Sequence, residues 1–260
     1  MGISRDTYYK YEKRQRVKKK KEEKVIEAVN EVRKRQPRLG TKKLHSMVGK
    51  KCEIGRDKLN NVLKANNMLV KRRKKGSRTT YSNHEYAVSP NMIKDMKVER
   101  PNQVWVSDIT YLSTRNKFLY LFLITDKYSR KIVGYELSDS LEHRYAINAL
   151  EKAIGDNEIK SGLIIHSDRG SQYCCHEYKR VIKKYGMISS MTDENHCYQN
   201  AIAERVNGIL KDEFYLDVCF KNEEDARKAV KEAIEVYNME RPHRSLRVCP
   251  KKSVKVVLQK

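Results

Sequence analysis

The 260-residue sequence is 39% hydrophobic and 34% charged, with a formal net charge of +23. A chain of this length buries a sizeable core, as one large or two small domains. Its longest apolar run, Phe118 to Ile124, is far too short to cross a membrane, and with no secretory signal the chain is expected in the cytoplasm. The six cysteines are dispersed and form no C-x-x-C pair, so free thiols are expected rather than a disulfide framework or a structural zinc site.

The positive charge is concentrated. Residues 1–80 hold 27 Lys and Arg against 8 Asp and Glu, a net +19, and the other 180 residues carry only +4. Such an imbalance opposes folding by self-repulsion, and a polyanionic partner relieves it, nucleic acid being the commonest. For the run Lys18 to Lys21 alone, a solvated basic tail explains the charge as well as a nucleic-acid contact does.

Between residues 24 and 80 three short helical patterns follow one another. Val25, Ile26, Val29 and Val32 mark the first; after Gln36-Pro37, Leu44, Met47 and Val48 mark the second, with Thr41 as its expected N-cap. The third runs from about Arg56 through Leu59, Val62 and Leu63 and ends at Asn66-Asn67. The basic run Arg72, Arg73, Lys74, Lys75 follows, and short helices before a basic run read as a helix-turn-helix-like DNA-binding region over 1–80. The stretch from Tyr81 to Pro101 has two prolines and little periodicity, and residues 81–100 read as a linker.

The pattern then changes. Val104 to Leu112, Phe118 to Thr125 and Lys131 to Leu137 are rich in β-branched and aromatic residues and read as three antiparallel strands. A helix from about Leu141 to Ile154, a strand at Gly162 to His166, a helix from about Gln172 to Tyr185, a strand at Met187 to Met191 and a helix from about Asn200 to Phe214 complete a core over 101–222. A helix from about Glu223 to Tyr237 opens a basic tail over 223–260. Three meandering strands followed by alternating strands and helices predict an α/β mixed sheet with flanking helices, the order of the ribonuclease H-like fold.

Three carboxylates stand out within that core. Asp108 lies inside a strand, where alternation puts it with Val104, Val106 and Thr110, and a carboxylate there is costly without a partner. Asp168 directly follows the apolar strand Leu163-Ile164-Ile165, at a strand carboxyl end where ligands gather in open sheets; capping the next helix is its plainer role. Glu204 shares a polar helical stripe with Asn200, Asn207 or Gly208, and Lys211, distinct from the apolar stripe Ile202, Val206, Ile209, Leu210. That stripe suits ordinary solvent-facing surface, and equally a shared site at the sheet edge. Three carboxylates in one place repel unless divalent cations neutralise them, and hard oxygen ligands suit Mg2+, with Mn2+ as substitute. Two such ions roughly 3.5–4 Å apart assist in-line phosphoryl transfer.

The spacing and flanks are specific. Asp168 and Glu204 are separated by 35 residues, and W-V-S-D-I-T-Y, H-S-D-R-G-S-Q-Y, N-A-I-A-E, L-K-D-E and Y-N-M-E-R-P-H-R-S-L occur in order, with G-I-S-R-D-T-Y-Y near the start. Together these resemble the OrfB type of bacterial insertion-sequence transposase, in the DDE, retroviral-integrase-like superfamily, over nearly the whole chain. The resemblance implies Asp108, Asp168 and Glu204 as catalytic metal ligands for two ions. It implies Lys211 as a contact to element-end DNA; Asn200, on the same stripe, and the basic run Arg72 to Lys75 are further expected DNA-binding residues. It also implies cleavage of element ends followed by strand transfer, a homo-oligomer on DNA, an upstream OrfA-type partner protein and a bacterial, nucleoid-associated location. Gln199 departs from the family, which commonly has Asp before Asn-Ala, and Leu246-Arg247-Val248-Cys249-Pro250 lacks the usual Gly-Tyr. The alternatives are a non-enzymatic helix-turn-helix regulator, which leaves the three carboxylates idle, a ribonuclease H-like nuclease on RNA–DNA hybrids, and an inactive transposase remnant.

Overall fold

The computed structural model describes residues 5–70, 86–194, 197–246 and 249–251. The chain divides into two compact units, residues 1–73 and 74–260. The basic run Arg72 to Lys75 and His196 lie outside the described residues.

The first unit holds three helices, α1 (Arg5–Arg35), α2 (Thr41–Val48) and α3 (Arg56–Ala65). The three-helix pattern expected from residue 24 onward is present, but the first helix begins near Arg5, 31 residues in one piece. Its N-terminal half is charged all round, so no apolar period announces it; Lys, Arg, Glu and Gln nevertheless favour helix. Exposed pairs Lys10–Asp6 and Arg16–Glu12, at 2.7 and 3.3 Å, add a few tenths of a kcal/mol each at about i,i+4 spacing. The C-terminal half packs into the core, through Val25 and Val29 onto Leu39, Leu44, Val48, Leu59 and Leu63. Gly40, one position before the expected Thr41, is the N-cap of α2, and Thr41 is its first helical residue.

The second unit is built on a mixed sheet. Strands β1 (Val104–Thr114), β2 (Phe118–Asp126), β3 (Ile132–Ser138), β4 (Ile164–Ser167), β5 (Ile188–Met191) and the two-residue β6 (Cys219–Phe220) form it. The order is β3-β2-β1-β4-β5, with β6 beside the far end of β1. β1, β2 and β3 meander antiparallel, and β1, β4 and β5 run parallel, which is the ribonuclease H-like arrangement expected. Helices α4 (His143–Gly155), α5 (Ser171–Cys174) and α6 (His176–Lys184) cover one face, and α7 (Ala201–Phe214) and α8 (Glu223–Met239) the other.

Alternation along β1 explains this two-sided burial. Trp105 and Ile109 face the α4–α6 layer, and Leu112 faces α7 and α8. Each fully buried large apolar side chain contributes roughly 1.5–3 kcal/mol. Close approach of α4 to β3 requires Gly134, where an added Cβ would lie 2.4 Å from the Ala149 carbonyl oxygen and 2.6 Å from Ala153 Cβ. The single helix expected over 172–185 is two, α5 and α6, broken at Cys175 by an extended backbone with ψ of 155°.

Two segments expected as separate from the core belong to it. Over 86–103, read in part as linker, Ile93 is buried with Val104 and Ile164. Ser89 Oγ donates to Ser189 Oγ at 2.9 Å and the Met92 amide to Ser190 Oγ at 2.9 Å, so the segment runs along β5 through side-chain hydrogen bonds. Helix α8 supplies Val230, Ile234 and Tyr237 to the same core as α7. Just beyond it the fully buried Arg241 donates from Nε to Glu213 Oε2 at 2.8 Å and from Nη2 to Oε1 at 3.1 Å.

Candidate active site

Asp108, inside β1, and Asp168, just past the end of β4, stand at equivalent positions of two neighbouring parallel strands. β1 and β4 are in register up to Val106 opposite His166, and each aspartate lies two residues further on. Asp108 is held from two sides, its carboxylate accepting from the Ile109 amide and from Asn207 Nδ2, the latter at 2.8 Å. Asp168 Oδ1 accepts the Gly170 amide at 3.1 Å, a local turn. Helix α5 is capped by Gly170 rather than Asp168, so helix capping does not account for this carboxylate. Gly170 has an ordinary φ of −60°. A side chain there would instead approach Asp168 Oδ1 at 3.2 Å.

Glu204 stands in the first turn of α7, exposed, where the helix N-terminus favours negative charge. It comes close enough to act on Asp108. Burial first, then the neighbouring Asp168 charge and more weakly that of Glu204, push the Asp108 carboxyl up to about 8 against the hydrogen bonds from Ile109 and Asn207. Both aspartates also act on Tyr173, whose hydroxyl burial first, and then the Asp168 charge, hold well above its usual range. That hydroxyl accepts from Ser107 Oγ at 3.0 Å, fixing the strand beside Asp108.

The donor set suits a hard divalent cation: oxygen throughout, three carboxylates, and one of them kept protonated at neutral pH unless a positive charge compensates. The three do not close to within 4.8 Å of one another as a group. An ion held by all three would have to draw them together, most readily through the exposed Glu204.

Other expected residues fall differently. Asn200, expected on a DNA-facing surface, is 3% exposed and donates from Nδ2 to the Ser107 carbonyl at 3.0 Å. It sits at the N-cap of α7 without capping it, and pins the start of that helix to the strand carrying Asp108. Asn207, at 7% exposure, likewise faces inward although it shares the polar stripe. Both amides were missed as site supports because a bond across 93 or 99 positions leaves no local pattern. Lys211 is partly buried, its ammonium 4.1 Å from the centre of the Tyr111 ring. His166 is fully buried beside the site; burial, then the Lys127 charge, lower it to about 4, so it is neutral, with Nδ1 2.9 Å from Ser190 Oγ.

Gln199, the departure from the family pattern, ties three segments together. Its Oε1 accepts from Asn91 Nδ2 at 2.8 Å and from the Asp193 amide at 2.6 Å, while Nε2 donates to Asp193 Oδ2 at 2.8 Å. A carboxylate at this position could accept the first two bonds, and would meet Asp193 as a like charge.

Models of the integrase core domain match residues 98–197 and 185–250. The uncharacterized 31 kDa protein of insertion element IS600 from Shigella sonnei is 34% identical over 251 residues, covering 94% of this chain and 92% of that one. This chain belongs to the insertion-sequence transposases of the DDE superfamily. The transposase of element IS904 from Lactococcus lactis is 34% identical over 178 residues, 66% of this chain and 70% of that one. Among solved structures, a chain of the simian T-cell lymphotropic virus intasome in complex with the PP2A regulatory subunit B56 gamma superposes with a TM-score of 0.54. At 18% identity, over 80% of this chain and 73% of that one, this likeness concerns the fold. Among the described residues no helix is long and apolar enough to cross a membrane.

Proposed function

We propose that Asp108, Asp168 and Glu204 hold the divalent metal ions of this transposase, two Mg2+ with Mn2+ as substitute, and that this site cuts the ends of an insertion sequence and joins them to new DNA. The observation that carries the proposal is the electrostatic meeting of the three: Asp108, on one strand, is raised by burial and by carboxylates from a neighbouring turn and from a helix 96 positions away in sequence. A bound divalent pair supplies activation of the attacking oxygen and stabilisation of the leaving one. The chain's own residues do the positioning. Asn207 and the Ile109 amide orient the Asp108 carboxylate, Asn200 fixes the helix that carries Glu204, and the Gly170 amide orients Asp168.

In this reading hydrolysis at the element end frees a 3′-hydroxyl, which then attacks another phosphodiester, with no covalent protein–DNA intermediate. Lys211, two helical turns from Glu204 and stacked on Tyr111, contacts the end DNA, and the net +19 of residues 1–80, which includes Arg72 to Lys75, adds sequence-independent phosphate contacts. Asn200 takes no DNA contact. A homo-oligomer pairing two ends, an upstream OrfA-type partner and a nucleoid-associated location complete the reading, supported by the family resemblance. The test is incubation of the full chain with duplexes carrying its element's ends. The proposal expects Mg2+-dependent appearance of a free 3′-hydroxyl and of joined products, both abolished by EDTA; cleavage that persists without divalent metal overturns it.

A further inference from the structure

We propose a second metal site, formed by His143, Cys175 and Glu177 and suited to a borderline-soft cation of the zinc class. One nitrogen, one sulfur and one carboxylate oxygen from these residues lie within 4.8 Å of one another, the one such group among the described residues. His143 Nε2 and Glu177 Oε2 are 3.9 Å apart.

This donor set differs from the all-oxygen triad. Thiolate and imidazole select zinc-class ions over magnesium, and a carboxylate completes three protein ligands with a position left over. Metal–ligand distances of about 2.0–2.3 Å set ligand–ligand separations of roughly 3.3–3.8 Å in a tetrahedral site. The group therefore has to close by about 1 Å at its widest, within the reach of the exposed side chains of His143 and Glu177.

The three ligands come from two helix starts. His143 opens α4, Cys175 is the N-cap of α6, and Glu177 lies in the first turn of α6. Cys175 is buried and its sulfur is already oriented, accepting the Tyr178 amide at 3.5 Å. A backbone donor at a helix N-terminus favours the thiolate that a metal needs, against the burial that pushes the Cys175 thiol up. Solvent reaches the site from the side of His143 and Glu177, giving an entry path and an open position. Occupied, the site is a strut between α4 and α6. The latter starts only eight positions after Asp168, so the strut stiffens the turn that presents that carboxylate.

Cobalt reports this chemistry directly, since a Co2+–thiolate bond absorbs in the near-ultraviolet and tetrahedral Co2+ in the visible. The full chain, kept reduced with a phosphine, is titrated with Co2+ alone and then with Zn2+. The expected result is both absorptions saturating at one equivalent and displaced by Zn2+, with Asp168→Asn behaving like wild type. Cys175→Ser keeps an N-cap oxygen and the fold but loses the near-ultraviolet band. His143→Ala weakens Co2+ binding by more than the roughly 10- to 100-fold typical of losing a group that merely hydrogen-bonds a ligand. No thiolate band in the wild-type chain, or a band that survives in Cys175→Ser, overturns the proposal.

Discussion

Replacing Asp108 by Asn should stabilise the metal-free protein, and by an amount that grows with pH. The amide keeps the shape of the side chain and an oxygen to accept from Asn207, but removes a charge that burial and the nearby Asp168 and Glu204 disfavour. The wild-type carboxyl ionises near 4 in the unfolded chain and at about 8 in the folded one. Between those values the folded state binds the proton and the unfolded state does not, so unfolding free energy falls as pH rises and levels off above about 8. At about 1.4 kcal/mol per pH unit the ceiling is roughly 6 kcal/mol; relaxation around a carboxylate that keeps some contact with solvent reduces this to about 2. For a unit of this size that is roughly 4–8 °C in Tm. Trp105, the single tryptophan, is fully buried three positions away and reports unfolding by fluorescence. Melting curves in EDTA should coincide for wild type and Asp108→Asn near pH 4–5 and separate towards pH 8. Saturating Mg2+ at pH 8 should raise the wild type and leave the variant where it was. Parallel pH profiles in EDTA would refute the reasoning.

Other perturbations have distinct signatures. Asn207→Ala removes a hydrogen bond to a charged group, worth about 1.5–3 kcal/mol, and should slow strand transfer by roughly 10- to 100-fold with DNA affinity unchanged in a filter-binding assay. Gly134→Ala drives a methyl into the Ala149 carbonyl oxygen and Ala153 and should cost about 1–3 kcal/mol in urea unfolding. Arg241→Met strands the largely buried Glu213 carboxylate and should cost about 3–5 kcal/mol, most of it recovered in the double variant with Glu213→Leu. Removing residues 1–80 should flatten the salt dependence of DNA binding, because fewer counterions are released.

What the sequence made legible follows from how local each signal is. β1 to β3 declare themselves by alternation and β-branched content, and their ends fall within two residues of the expected ones. The N-terminal half of α1 carries no apolar stripe and adds no residue to the core of the described part of its unit, so periodicity could not reveal it. The break at Cys175 interrupts an otherwise continuous helical pattern with one extended residue. The segment 86–103 looks like linker because it is joined to the sheet largely by side-chain hydrogen bonds to Ser189, Ser190 and Gln199, which no period encodes. At the site, each carboxylate taken alone has a bland explanation, and only the interval and flanking motifs link the three. The inward-facing amides of Asn200 and Asn207 needed the fold itself, since burial on a stripe of otherwise polar residues contradicts the surface expectation for such residues.

The central claim, that three carboxylates act as one metal-dependent site, is tested most directly by strand transfer on element-end DNA. Asp108→Asn, Asp168→Asn and Glu204→Gln are assayed singly in Mg2+, with DNA binding measured on the same preparations. The account predicts that each variant binds DNA as the wild type does and produces no joined product. Full strand transfer by any one of the three would contradict it.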